Sequence, residues 1–367
     1  MRLLAIAARA RVLLIAGILL PAAVPISAVA EQALLLPRAS ESLLLDVKRA
    51  GERLVAVGER GHVLLSDDHG ASWRQVEVPT ARMLTALWFV DERRGWAVGH
   101  DGVILATTDA GSSWTLQRGG LAGRALEPLQ DPLYTSPLLA VWFADADQGI
   151  AVGAYGLYLE TRDGGRSWRT PEEPPDNPDQ LHLYAIASPD GQRLLLAGES
   201  GILYRSWDRG QSWESLPPAK AGTLFGLVAE PDSDWVTAFG LEGSVLVSTD
   251  FGDRWVALDS PVAVVLAGGT RRADGGVLIA GSVGTLLEVD PRSEVVSSCD
   301  TGTVTGNFAR PIEALDGGIV LVGQGGVVRL APLSPDECHS RGVAAGSAAG
   351  ASQDTNASRV AADGNLR

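Results

Sequence analysis

The chain has 367 residues, a formal net charge of −14, 46% hydrophobic and 20% charged residues, and 43 glycines. The apolar share excludes a disordered polymer, and the glycine content suits an all-β repeat protein. Its acidity argues against nucleic acid as a partner, because that affinity comes from Lys and Arg on phosphates, and against direct binding to anionic lipid.

Residues 1–30 read as a secretory signal peptide. Arg2, Arg9 and Arg11 form a basic start, Val12–Leu20 an apolar core too short to span a bilayer, and Ala28-Val29-Ala30 a small-residue cleavage site. The mature chain is expected to begin at Glu31, exported to the periplasm or an equivalent lumenal or extracellular compartment.

From there the sequence repeats. The segment AVGERGHVLLSDDHGASW, ending at Trp73, returns as WAVGHDGVILATTDAGSSW at Trp114 and IAVGAYGLYLETRDGGRSW at Trp168. LLAGESGILYRSWDRGQSW at Trp213 and TAFGLEGSVLVSTDFGDRW at Trp255 follow, then two shorter copies from Ile279 and Leu321. The first glycine of each copy is Gly58, Gly99, Gly153, Gly198, Gly240, Gly281 or Gly323, at intervals of 41 to 54 residues. Such a period marks a four-stranded unit, and seven copies predict a seven-bladed β-propeller over residues 31–335. In the first copy the strands, called a to d, fall at Ser42–Val47, Arg53–Val57, His62–Ser66 and Trp73–Val78. The near-continuous apolar runs of b and c fit sheets covered on both faces. Glycines flanking the b–c turn predict positive φ there.

The element S/T-x-D-x-G-x-S/T-W between strands c and d is the Asp-box. Its carboxylate can accept N–H bonds from the turn, its glycine permits the tight backbone, and its tryptophan packs between sheets. The pairs Asp68 and Trp73, Asp109 and Trp114, Asp163 and Trp168, Asp208 and Trp213, and Asp250 and Trp255 are therefore read as structural. Strand alternation puts these turns on one rim and the b–c turns, with the d–a connections, on the other. Two long connections, Gly119–Pro137 and Pro171–Gln180, reach the b–c rim. There Arg60, His100, Asp101, Tyr155 and Glu199 occupy turn positions and are the candidate partner-binding residues. Tyr155 leads them, since an aromatic between glycines has little local packing to do.

The seventh copy shows strand-like segments at Pro311–Leu315, Ile319–Val322 and Val327–Leu330, then Pro332. Gln32–Leu36 is expected to supply its fourth strand and close the ring. Cys299 and Cys338 bracket this repeat; an exported chain admits a disulfide that would pin the last blade, with two free thiols as the alternative. Residues 336–367, rich in Ala, Gly and Ser, read as a disordered tail.

A catalytic set is not evident. No carboxylate pair is singled out, and Glu59, Glu199 and Glu242 read as turn residues. His62, His69, His100, His182 and His339 do not form a metal-ligand pattern, and no glycine lies in a phosphate-loop context, so neither metal nor cofactor is expected. The alternative is a sialidase-like glycoside hydrolase of the Asp-box class, which needs an arginine cluster and a nucleophile or carboxylate pair; no R-I-P element lies near the N-terminus, and there are seven repeats where sialidases have six.

The block FVDERRGWAVGHDGVILATTDAGSSW, Phe89 to Trp114, resembles the signature repeat of the photosystem II stability/assembly factor family. VWFADADQGIAVGAYG, Val141 to Gly156, repeats it, and the resemblance covers most of Ser42 to Leu330. It implies an exported seven-bladed propeller that is not an enzyme and that docks, as a protein-binding assembly module, on a subunit of a membrane or envelope complex. Photosynthetic members are associated with an arginine-rich docking patch; the possible counterparts here are Arg60, Arg82, Arg93, Arg94 and Arg124.

Overall fold

The computed structural model describes residues 32–119, 136–219, 222–302, 304–334 and 337–340. The expected signal segment, nearly all of the Gly119–Pro137 connection and the tail past residue 340 lie outside the described residues. Seven antiparallel sheets follow one another along the chain, each with its strands in sequential order. They are the seven blades of a β-propeller. The innermost strands are Leu44–Ala50, Leu84–Phe89, Leu138–Phe143, Leu183–Ala187, Leu224–Ala229, Leu266–Arg271 and Phe308–Glu313. The second strands of blades two to seven are buried along their whole length, because a neighbouring blade covers each face.

One apolar cluster fills each seam between blades, including the seam that closes the ring. There Leu44, Val47, Leu54 and Leu64 of blade one pack on Ile312, Val320 and Val322 of blade seven. At about 25 cal/mol per Å² of apolar surface, such seams are the main favourable term in holding the ring shut.

A shared irregularity opens all seven inner strands. The pairing with strand b skips the second residue: Leu45, Thr85, Leu139, Tyr184, Phe225, Ala267 and Ala309 are bulged out. The first glycine of each repeat explains the bulge. In blades one to five its φ lies between −159° and −176°, an extended backbone open to any residue. What the site forbids is a side chain. A Cβ at Gly58, Gly99, Gly153 or Gly240 would stand 2.0 Å from the carbonyl oxygen just before the inner strand. That same carbonyl accepts the N–H of the residue after the glycine, as in His100 N to Met83 O at 2.9 Å. Positive φ falls later in the turn, on the residue before the second glycine and on that glycine itself.

Ring closure differs from expectation. Gln32–Leu36 does not pair with the last blade; it lies along the outer edge of blade one. Ala33 N donates to Val78 O at 3.1 Å, Leu36 N donates to Gln75 Oε1 at 2.7 Å, and Gln75 Nε2 donates to Leu34 O at 2.9 Å. The Gln75 side-chain amide imitates a strand and captures the segment. The outermost strand of blade seven, Gly326–Leu330, meets Ser40 and Glu41 at Gly326. It carries Arg329, which pairs with Asp316 and donates to His69 O on blade one at 3.0 Å. A charged side chain of this kind discourages further strand addition.

The chain end also departs from the boundary expected at residue 335. Cys338–Ser340 forms a fifth strand on Val295–Cys299 of blade six, and Cys338 is disulfide-bonded to Cys299. The bridge thus fastens the chain after blade seven to blade six, whereas pinning of the last blade was expected. Glu288, Cys299 and Cys338 lie within 4.8 Å of one another, but sulfurs bonded to each other are not thiolate ligands.

Replacing Gly99 with alanine is expected to destabilise the protein by at least about 1–3 kcal/mol, since the Met83 carbonyl is backbone and cannot yield cheaply. Thermal and urea denaturation would measure it. An unchanged midpoint would show that the close approach constrains nothing.

Candidate functional site

The b–c turns are tight turns closed by an N–H to C=O bond over three residues, such as Val103 N to His100 O at 3.2 Å, and their second residue sits near φ 56°. Arg60, Asp101, Tyr155, Ser200 and Glu242 hold this left-handed conformation in blades one to five. A side chain there costs on the order of 1 kcal/mol relative to glycine, and in return it stands clear of the rim. Tyr155 is 56% exposed.

The five candidates divide between two turn positions. His100 and Glu199 open their turns, whereas Arg60, Asp101 and Tyr155 take the left-handed position. Glu199 is engaged by its own scaffold, since Oε2 accepts His182 N at 3.1 Å, and Asp101 pairs with Arg82 at 2.8 Å. Tyr155 and Glu199 are brought together through His182: Tyr155 N donates to His182 Nδ1 at 2.8 Å, and the Tyr155 ring meets the imidazole edge-on at 4.9 Å. Arg60, His100 and Asp101 stand apart on blades one and two. Among the described residues the arginines offered as a patch are split between the two rims. Arg60 and Arg82 lie by the b–c rim, Arg93 and Arg94 follow strand a of blade two on the opposite rim, and Arg124 falls outside the described residues.

The aromatic run continues past His182. Tyr184 lies 6.0 Å from that ring, and Phe225 lies 5.0 Å from Tyr184, both edge-on. Tyr184 and Phe225 are the bulged residues of blades four and five, so they flank the mouth of the central channel. The connection Pro171–Gln180 closes on this region. Asn177 abuts Gly156 beside Tyr155, and Asp176 O accepts Tyr204 Oη at 2.8 Å. Sequence reading missed His182, Tyr184 and Phe225 because they lie in a connection and in strands, where aromatics read as packing.

Farther in, the channel is charged. Asp46, 1% exposed, accepts Val47 N at 2.9 Å and Leu87 N at 2.8 Å and pairs with Arg310 at 2.9 Å. Lys48 lies two residues along the same strand, and burial pushes its ammonium down to about 8. Asp46 opposes that shift and Arg310 adds to it.

The Asp-boxes occupy the other rim with the a–b turns. In the second box, Gly111 N donates to Thr107 Oγ1 at 3.0 Å, and Ser113 donates N–H and O–H to the two Asp109 oxygens at 2.8 and 2.6 Å. Trp114 Nε1 donates to Gly111 O at 2.9 Å while the ring packs into the seam with blade one. Hydrogen bonds from Ser72 and Ser167 hold Asp68 and Asp163 down to about 2. Depressed carboxylates contribute stability that is complete above their ordinary range near 4 and lost as pH falls through about 2. Melting temperature should therefore fall between pH 5 and pH 2, with a shallower slope in Asp68→Asn. Trp114→Ala should cost about 3–5 kcal/mol through the emptied seam, and Asp109→Ala about 1–3 kcal/mol through unsatisfied turn donors; denaturant titration reads both.

A family model described as "Photosynthesis system II assembly factor YCF48" matches residues 65–129 and 124–299. Photosystem II assembly lipoprotein Ycf48 of Synechococcus sp. (strain CC9902) is 25% identical over 176 residues, covering 46% of this chain and 47% of that protein. Photosystem II assembly protein Ycf48 of Thermosynechococcus vestitus is 26% identical over 261 residues, covering 59% and 71%. The chloroplastic stability/assembly factor HCF136 of Arabidopsis thaliana is 27% identical over 155 residues, covering 42% and 35%. For most of these curated relatives the chain spans about half their length or less. Among solved structures, "YCF48 bound to D1 peptide" superposes with a TM-score of 0.61 at 19% identity, covering 83% of this chain and 97% of that one. YCF48 from Cyanidioschyzon merolae gives 0.61 at 17% identity, covering 82% and 98%. At such identity the superpositions show the fold alone.

Proposed function

The chain belongs to the photosynthesis system II assembly factor YCF48 family, and from that membership we propose that it is an exported, non-catalytic assembly module. Its b–c rim takes a segment of a membrane-complex subunit. The observation that carries this reading is the aromatic run Tyr155, His182, Tyr184 and Phe225, which leads from an exposed turn to the channel mouth. Amphipathic rings lose little rotamer freedom on binding and serve as interface anchors. Two relatives named as lipoproteins and one named as bound to a D1 peptide support export and a peptide-like ligand. The rim carboxylates favour docking over glycoside hydrolysis: Glu59 and Glu199 are spent on the backbone N–H groups of Leu43 and His182, whereas a glycosidase needs two carboxylates facing one bond.

The test is copurification from a crosslinked envelope fraction, followed by direct binding of the captured subunit's exposed segments. Tyr155→Ala is expected to weaken binding about tenfold or more, and Arg166→Glu on the Asp-box rim to leave it unchanged. Loss only in the Arg166 variant would move the site to the other rim.

A further inference from the structure

The charges of the b–c rim are sorted by blade. On blades one and two, arginines offset the acids: Arg60 follows Glu59, Arg82 pairs with Asp101 at 2.8 Å, and Arg118 donates from Nη1 to Gly102 O at 2.8 Å. From the turn of blade three to that of blade five the rim is acidic. The connection Pro171–Gln180 carries Glu172, Glu173, Asp176 and Asp179, and the turns of blades four and five carry Glu199 and Glu242. Against these, the same turns and connections hold no arginine and one lysine, Lys220, which falls outside the described residues. Among the described residues none of these carboxylates makes an ion pair, and of their oxygens only Glu199 Oε2 accepts a hydrogen bond.

Their field is felt by the tyrosines among them. Burial and then Glu199 raise the Tyr184 hydroxyl, and burial, Asp176 and Asp179 raise that of Tyr204, since negative neighbours disfavour a phenolate. This sector is also the one that holds the aromatic run. Tyr155 stands exposed, with His182, Tyr184 and Phe225 half-buried in series behind it. Aromatic faces and unpaired carboxylates attract the same ligand. A guanidinium or ammonium is drawn to a ring face within about 6 Å, and it also complements the charge that the rim leaves unneutralised. We propose that the rim of blades three to five docks a basic segment of its protein partner, with arginine or lysine side chains on Tyr155 and Tyr184 between Glu199 and the acidic connection. An acidic segment would be repelled there. The segment lies across the rim and does not descend, because Lys48, Arg271 and Arg310 line the channel below.

The inference rests on the docking reading for the location of the surface and adds the chemistry of the segment. Synthetic peptides as probes need no captured subunit, so the two can fail separately.

The experiment uses the full chain with 3-fluorotyrosine at its five tyrosines, the Tyr155 and Tyr184 resonances being assigned with Tyr→Phe variants. The probes are capped peptides of glycine, serine and one variable residue in repeating order, the variable residue being arginine, glutamine or glutamate. The arginine peptide is expected to shift the Tyr155 and Tyr184 resonances and to bind about tenfold or more tightly than the glutamine peptide. Raising sodium chloride from about 50 to about 300 mM is expected to weaken it severalfold. Asp179→Asn combined with Glu242→Gln, both exposed and unpaired, is expected to lower its affinity about threefold or more with melting temperature unchanged. Equal binding of the glutamine peptide, binding of the glutamate peptide, static Tyr155 and Tyr184 resonances, or unchanged affinity in the folded double variant would overturn the proposal. Subunit capture that depends on Tyr155 at a rim blind to peptide charge overturns the basic segment and leaves the docking reading standing. Arginine-peptide binding with capture indifferent to Tyr155→Ala supports the basic segment and overturns the docking reading.

Discussion

A backbone carbonyl passing over a glycine sets the geometry of every blade. The oxygen before each inner strand lies where a Cβ of the repeat's first glycine would be, and it accepts the next N–H of the b–c turn. This contact draws strands a and b together at the rim and forces the extra residue of strand a to bulge. Seven repetitions place one bulged residue per blade around the channel mouth. The fold thereby builds a ring of side chains that packing does not dictate, and in blades four and five that ring carries Tyr184 and Phe225.

The two rims use polar chemistry differently. On the Asp-box rim the carboxylates of the first four boxes are consumed by their own turns, with hydroxyl and backbone donors reaching both oxygens, and each tryptophan is committed to a seam. The fifth box makes the division of labour visible. Arg254 replaces the serine, so Asp250 keeps the backbone bond from Arg254 N at 2.9 Å without a hydroxyl bond from that position. The b–c rim holds its turns by backbone geometry, which leaves the second turn residue free to vary while the third is glycine.

Much of the fold was legible because glycine spacing and Asp-boxes are direct marks of backbone constraint. The seven sheets and the opposed rims follow from them. The closure was not legible, for two reasons. Gln32–Leu36 is held by a side-chain amide, and the repeat does not predict that Gln75 can replace a strand edge. The strand Cys338–Ser340 follows Pro332 and Pro335 and carries no apolar alternation, so only the pairing with Val295–Cys299 reveals it. Site legibility was narrower still. Tyr155 stood out because turns rarely hold aromatics, whereas Lys48, Tyr184 and Phe225 occupy strands whose inward face opens on the channel only once seven blades are assembled.

This distinction bears on what family membership conveys. The matched residues, 65–299, contain five of the seven repeat glycines and all five Asp-boxes, which are the positions the scaffold cannot surrender. Arg60, Asp101, Tyr155, Ser200 and Glu242 share one backbone conformation and have five different side chains. The bulge positions likewise run from alanine to tyrosine at one geometry. Specificity therefore resides in residues that the repeat positions but does not choose. A relative can keep the propeller while these positions change, and in this chain those of blades three to five place Tyr155, Tyr184 and Phe225 in one aromatic run with His182.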